Sequence, residues 1–442
     1  TVMFKKKITS LDKSTTVDIF IKRPDKYREI ENFSLEADNL ITMGGCNSYT
    51  AASFKKNNLS LLFTKFDRVL EFDKFNKSIT VEVGVKLSDL LNFTLKHGLW
   101  LPQIPGYPSI TLGGAIAANA HGKSSDTHGT IKNQIKSILI FHKTHGWMKL
   151  SNNENKDIFE LTIGGFGLTG TIVSVELQLI EIVGYDFTTT VEKVSSAKDA
   201  VKKLCSRDLD NIFSYSWNKT FNKKKFGEGL IFNNQINKNK ENLTINEMHF
   251  KTDNLNKHLF LNLWNKYSIK FFQNVYYNYF GAYKKKIAND NFKNVLFPYS
   301  GKETYFHMYG KKGFIESQIL VTLNKINIFI DELEHLISIH EPEIVLFSIK
   351  KMIGKELFLR FENTGMCFTF DFTNKNKNLD FLDKLDALCV KHKLKPSIIK
   401  DSRLSSSTVQ KCYKNFENFK KTLLNFDSKK IYRSELSDRI GI

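Results

Sequence analysis

From Pro105 to Lys123 the chain reads Pro-Gly-Tyr-Pro-Ser-Ile-Thr-Leu-Gly-Gly-Ala-Ile-Ala-Ala-Asn-Ala-His-Gly-Lys, with Gly and Ala where an ordinary core segment carries Leu and Val. Small residues let the backbone approach a ligand closely and aim N–H groups at phosphate oxygens. A second cluster, Gly164-Gly165-Phe166-Gly167-Leu168-Thr169-Gly170, precedes an alternating apolar stretch, and a third, Gly44-Gly45, is followed by Cys46-Asn47-Ser48-Tyr49. Three such turns at strand ends can converge on one extended anionic ligand. None has the Rossmann glycine spacing after a strand, and the complete phosphate-loop signature is absent. Glycine content alone reads equally well as ordinary tight turns.

Titratable residues sharpen the choice. His121 and Lys123 close the small-residue run, and Lys400 follows Pro396-Ser397-Ile398-Ile399 at an apparent strand end. Glu316 and Gln318 alternate on one strand face, and Lys351 stands beside Lys350, either of which can face inward if the register moves by one. Each has a plain alternative: among 57 lysines any one is by default a solvated charge, and a lone histidine is by default a satisfied structural group.

These residues need elements to hold them. Leu40 to Met43 reads as a short strand, and Ser78 to Val85 alternates as another. Leu87, Leu90, Leu91 and Leu95 share one helical face, with Gly98 past its end. Ile135 to Phe141 and a long Thr171 to Val183 read as strands, and the uncharged Leu101 to Ala120 as a loop. Beyond about Gly184 the texture changes to long amphipathic stretches, many aromatics and lysine-rich connections such as Asn237 to Asn242. Phe314 to Leu323 and Cys367 to Phe372 are predicted strands, Ile326 to Ile339 a helix, and the tail from Asp401 carries helical spacing. The pattern is α+β, and 442 residues are enough for two or three domains.

The hydrophobic fraction of 41% and aromatic fraction of 13% describe a globular protein. No uncharged apolar run approaches the roughly 20 residues of a spanning helix. Thr1 to Ser10 carries lysines without a following apolar stretch, which predicts no signal peptide and a cytoplasmic setting. The net charge is +19, but only eight basic residues are Arg and the lysines are dispersed. That argues against nucleic acid, which bidentate Arg recognition favours, and leaves attraction to anionic lipid open. Five widely spaced cysteines predict reduced thiols, with no disulfide frame and no metal site.

The order of the motifs decides between tight turns and a cofactor cradle. Gly-Gly-x-x-Ser-Tyr, then Pro-Gly with Leu-Gly-Gly-Ala-Ile and His-Gly-Lys, then Gly-Gly-x-Gly-Leu-Thr-Gly-Thr-Ile resembles the FAD domain of the vanillyl-alcohol oxidase / p-cresol methylhydroxylase (PCMH) superfamily. Gly98 to Pro102, Ile399-Lys400-Asp401-Ser402-Arg403 and Ser434 to Arg439 resemble segments of its decaprenylphosphoryl-ribose 2-oxidase branch, so the likeness spans nearly the whole chain. It implies an FAD-binding domain over 1–184, a covering domain on an antiparallel sheet over 185–395, and a C-terminal segment, 396–442, returning to the first.

Residue by residue, the resemblance assigns Gly44, Gly45, Asn47, Ser48, Tyr49, Pro105, Gly106, Thr111, Gly113, Gly114, Ala115, His121, Gly122, Gly165, Gly167, Thr169 and Gly170 to FAD. It assigns Lys400, His121 and Lys351 to catalysis, and Lys123, Gln318, Glu316 and Thr369 to the substrate. Arg403 is expected to pair with a carboxylate and fix the Lys400 loop. Three positions depart from the family: Thr50 follows Ser-Tyr where a smaller residue is usual, Thr369 replaces a cysteine, and Glu316 stands where Gln is expected. Covalent members attach the flavin through a histidine where Asn47 stands here, so the implied FAD is non-covalent.

The cofactor accepts a hydride, so the protein must place a C–H bond near it and help remove the hydroxyl proton. A lysine serves as that base when burial or neighbouring positive charge lowers its pKa. The same lysines are equally suited to hold a substrate phosphate. The implied reaction oxidises a sugar or lipid-linked sugar, the 2-hydroxyl of a polyprenylphosphoryl ribose, to a keto sugar. A short-chain dehydrogenase partner would complete an epimerisation, with peripheral contact at the inner face of the membrane. The rivals are an aldonolactone or alditol oxidase, a flavin-binding protein without catalysis, and a non-enzymatic polyanion- or membrane-binding protein.

Overall fold

The computed structural model describes residues 3–207, 212–221, 226–238, 247–250, 260–282 and 289–442. The expected lysine-rich connection from Asn237 onward lies outside these residues from 239 on. Leu40–Met43 forms the predicted strand and pairs parallel with Leu59–Leu62, which pairs parallel with Thr16–Lys22; Phe4–Thr9 completes a four-stranded sheet. Beside it, an antiparallel sheet runs in the order Val69–Asp73, Ser78–Glu82, Thr171–Gln178, Ile135–His142, Gly146–Ser151. Leu87–Lys96 is the predicted helix, and Gly98 just beyond it has a φ of 76°.

Two expectations are corrected. Thr171 to Val183 is not one strand: Thr171–Gln178 ends, and Ile180–Glu181 leaves to pair with Leu99–Trp100. Between them buried Leu179 donates its N–H to Lys77 O at 2.7 Å, which turns the chain out of the sheet. Leu101 to Ala120 is not all loop either, because Leu112–Ala117 is helical, opened by Thr111, whose side chain accepts from Gly114 N. The alanines that replaced larger apolar residues here are the best helix formers.

Residues 186–396 build an eight-stranded antiparallel sheet in the order Asn289–Asn291, Asp186–Val194, Gly229–Ile236, Ile212–Asn218, Ile344–Met352, Gly365–Thr373, Phe314–Thr322, Lys395–Pro396. Period-two alternation separates its faces. Phe347, Phe368, Phe370 and Phe372 are fully buried on one face, where Phe368 meets Phe329 of the Ile326–His340 helix and Phe372 meets Phe381 of the Asn376–His392 helix. Ser348, Lys350, Thr369, Glu316 and Gln318 occupy the other face, which walls a cavity.

The chain's end returns to the first sheets. Leu40 donates to Ile431 O at 3.0 Å, Arg433 donates to Leu40 O at 3.1 Å, and Tyr432 OH donates to Phe141 O at 3.2 Å. Ser434 caps the Glu435–Ile440 helix with a capping box. Arg403 fixes the loop after Lys400 as expected. It donates to both oxygens of Asp386 at 2.7 Å and to Asp401 Oδ2 at 3.1 Å. Burial nonetheless holds Asp401 up at about 6. Arg403→Leu would strand two carboxylates, and the expected loss is about 3–5 kcal/mol, the scale for breaking a buried pair. Urea unfolding followed by circular dichroism measures it; a loss under 1 kcal/mol would refute the role given to this pair.

Candidate active site

The three glycine clusters meet at one cavity of ≈ 1030 Å³ between the first two sheets and the covering sheet. Their convergence depends on close backbone approach. A Cβ at Gly45 would lie 2.5 Å from Ser109 O, and one at Gly122 would lie 2.3 Å from Ile104 O. Asn47 Nδ2 donates across the same junction to Ser109 O at 3.1 Å. These glycines therefore bring loops together. Gly114 is different: a Cβ there meets only Thr111 Oγ1 at 3.4 Å and otherwise points into open cavity.

Of the residues expected to hold FAD, all but two line this cavity. Gly165 is a packing residue, since a Cβ there would lie 2.1 Å from Leu161 O, and Thr169 is buried with its hydroxyl 2.8 Å from that of Thr162. The structure also places Thr42, Cys46, Thr50 and Ser53 in the lining, where the sequence carried no motif beyond the turn itself. Gln103 went unnoticed as well. Fully buried, it accepts from Gly122 N at 2.7 Å and donates to Ser124 Oγ at 3.0 Å, clamping the His121–Lys123 loop.

The covering sheet supplies the opposite wall. Gln318, Thr369 and Ser348 stand in register across three strands, and Glu316 stands one pair further along, opposite Asp371. Lys395–Pro396 pairs with Leu320 and Ile319, and Ser397 donates to Gln318 O at 2.8 Å, so the following turn carries Lys400 to the cavity. There Lys400 Nζ lies 3.3 Å from Glu316 Oε1 and 4.3 Å from the Tyr49 ring centroid, joining the two walls. Gln318 donates to the same Glu316 oxygen at 2.6 Å.

Strand alternation corrects one assignment. Lys350, paired with Cys367, lines the cavity, whereas Lys351 pairs with Met366 on the opposite face and its carbonyl accepts from Ser125 Oγ at 2.9 Å. The inward lysine is therefore Lys350.

Cationic groups crowd this end of the cavity, and their electrostatics follow from it. Burial lowers Lys350, helped by nearby Lys400 and opposed by Cys367, Glu316 and Asp126. Burial, then Lys350, brings Lys123 down to about 7, with its ammonium 3.9 Å from the Tyr215 ring centroid. His121 is held well below its ordinary value by burial, then by Lys350 and Lys400. It is thus neutral and able to accept or donate one hydrogen bond. Behind Glu316, burial and the Glu316 charge push Asp371 well above the usual carboxylate range. Tyr305 OH donates to it at 2.6 Å.

Comparison with known proteins matches this geometry. Residues 23–150 match the FAD binding domain family. The chain is an FAD-dependent oxidoreductase with a PCMH-type FAD-binding fold. The flavoenzyme is 23% identical to decaprenylphosphoryl-beta-D-ribose oxidase of Mycolicibacterium smegmatis over 91% of this chain and 89% of that protein. It is 30% identical to L-gulonolactone oxidase of Mus musculus over 31% of each chain. Its fold is shared with alkyldihydroxyacetonephosphate synthase at a TM-score of 0.63 and 14% identity, over 95% of this chain and 76% of that one.

FAD fits the residues present. The cavity lies at the upper end of the range for ligand sites, and the open face at Gly114 leaves room where a cofactor must press on backbone. Gly114→Val fills that room with only an ordinary contact on Thr111 Oγ1, so the variant should fold with an unchanged circular dichroism spectrum yet purify colourless. Full flavin occupancy, from absorbance against protein concentration, would relocate the site.

Proposed function

We propose that this flavoenzyme oxidises a secondary hydroxyl of a sugar to a ketone, and that its substrate is a lipid-linked ribose oxidised at the 2-position. The observation that carries this reading is Lys400, brought from the far end of the chain to the junction of the cofactor cradle and the covering sheet and held there by Glu316 and Tyr49. Likeness to the decaprenylphosphoryl-beta-D-ribose oxidase runs through both parts, while likeness to the gulonolactone oxidase is confined to a third of the chain. The covering sheet, which faces the substrate, therefore favours the former over an aldonolactone or alditol oxidase.

When bound, FAD supplies the acceptor for a hydride. The chain's own residues then have separate tasks. Lys400 contacts the reacting hydroxyl, Gln318 and Thr369 orient the sugar ring, and neutral His121 donates or accepts beside it. Lys123, neutral above about pH 7, suits uptake of a proton near neutrality. Glu316 offsets the positive charge of the cluster; as an acid where the family has an amide, it ties Lys400 in place more firmly than Gln would.

The ketone product suits a short-chain dehydrogenase partner that reduces it from the other face, completing an epimerisation. Among the described residues no helix is long and apolar enough to cross a membrane, so access to a lipid-linked substrate is peripheral, at the inner face of the membrane.

FAD is held without a covalent bond, since Asn47 cannot form one and is engaged with Ser109. Acid precipitation should leave the yellow colour in the supernatant; colour retained in the pellet would contradict this. Lys400→Ala should lower the rate of flavin reduction by roughly 100-fold or more, the scale of a positioned acid or base. The variant should keep its flavin and melting temperature. Stopped-flow bleaching by substrate is the measurement, and a near wild-type rate would pass the role to Lys350 or His121.

A further inference from the structure

The Lys266–Gly281 helix presents an unusual outer face. Tyr267, Phe271, Val275 and Tyr279 follow one another at i, i+4 spacing, which places them in a single stripe. They are 83%, 63%, 48% and 55% exposed. Isolated exposed apolar residues need no explanation, but a contiguous apolar stripe with three aromatic residues does. The helix contains no Asp or Glu, carries Lys266 and Lys270, and belongs to a chain of net charge +19. Its inner side is anchored by buried Ile269 and by Gln273, which accepts from Thr220 N at 3.1 Å.

The stripe is continuous with the cavity. Val275 and Tyr279 belong to both the exposed stripe and the cavity lining, and Phe272, Tyr276 and Phe280 carry the apolar wall inward beside them. The same cavity is also lined by His121, Lys350 and Lys400. One space thus runs from an aromatic, acid-free outer helix to a cationic, polar interior. Aromatic residues with a polar tip favour the membrane–water interface, and a helix with an apolar face and basic flanks lies in that plane.

We propose that the Lys266–Gly281 helix docks on an anionic lipid bilayer and forms the port through which the hydrocarbon part of a lipid-linked substrate extends while its sugar reaches Lys400. This rests on the lipid-linked reading of the substrate and adds the surface that meets the lipid. A water-soluble sugar would need neither an exposed aromatic stripe nor an apolar passage behind it.

Tyr267→Ser/Phe271→Ser tests the port, because neither residue lines the cavity. Phe75→Ser is the control, an equally apolar exposed residue in a turn of another sheet. Holoenzyme co-sedimentation is measured with substrate-free vesicles of phosphatidylcholine, with and without phosphatidylglycerol. The parent and the control should bind anionic vesicles, and the double variant should bind on the order of 10-fold more weakly or worse. All three should keep the same flavin spectrum. Equal binding of parent and double variant would overturn the proposal and leave dispersed lysines as the cause. A parent that ignores vesicles but forms dimers lost in the double variant would also overturn it, making the stripe a contact between two copies. Flavin bleaching by a detergent-dispersed polyprenylphosphoryl ribose is assayed separately, so failure of the substrate reading is visible whatever the vesicles show.

Discussion

The covering-sheet wall of the cavity depends on an aromatic seam behind it. Phe347, Phe368, Phe370 and Phe372 are fully buried between the covering sheet and its helices, and stacking such as Phe347 on Phe370 at 4.8 Å binds adjacent strands. Aromatic packing of this kind locks which face of each strand points inward. Because alternate residues face opposite ways, the seam forces Ser348, Lys350, Thr369, Glu316 and Gln318 outward to the cavity. A slip of one residue would bury the lysine and expose the phenylalanines. The burial of apolar surface thus sets the geometry of a polar site that contributes little to stability itself.

That polar site is costly in isolation. Lys123, Lys350 and His121 all sit where burial disfavours their charged forms. Partial relief comes from Glu316, beside Lys400, and from Asp126, both of which favour the charged form of Lys350. Asp371 Oδ1 has no protein partner among the described residues, although it is buried. Burying like charges together is what a structural core avoids, and such perturbed groups cluster at functional sites.

The opposite wall is built from backbone and not from side chains. Gly45 and Gly122 are needed because two loops touch at those points, while Gly114 is needed because space must remain. The two requirements look identical in a list of glycines. They become distinguishable only when the neighbouring chain is in place, which is why Gly165 and Thr169 proved to be packing residues and Gly114 a cavity residue.

Much of the molecule was legible from local pattern. Short apolar stretches marked the strands at Leu40–Met43, Ile135–His142 and Phe314–Thr322, and leucine spacing marked the Leu87–Lys96 helix, whose Leu87, Leu90, Leu91 and Leu95 are all buried. The ordered glycine clusters with His-Gly-Lys pointed to the cofactor through their resemblance to a known FAD domain, whereas the small residues alone read equally well as tight turns. The exit of the chain at Leu179 and the inward choice of Lys350 over Lys351 were not legible. Both depend on pairing with distant strands, and a period of two has no absolute origin until a partner supplies it. The contacts among Lys400, Tyr49 and Glu316 were likewise decided by tertiary structure: sequence determines which side chains can do chemistry, but only the packing of separate sheets brings side chains tens to hundreds of residues apart within ångströms of each other.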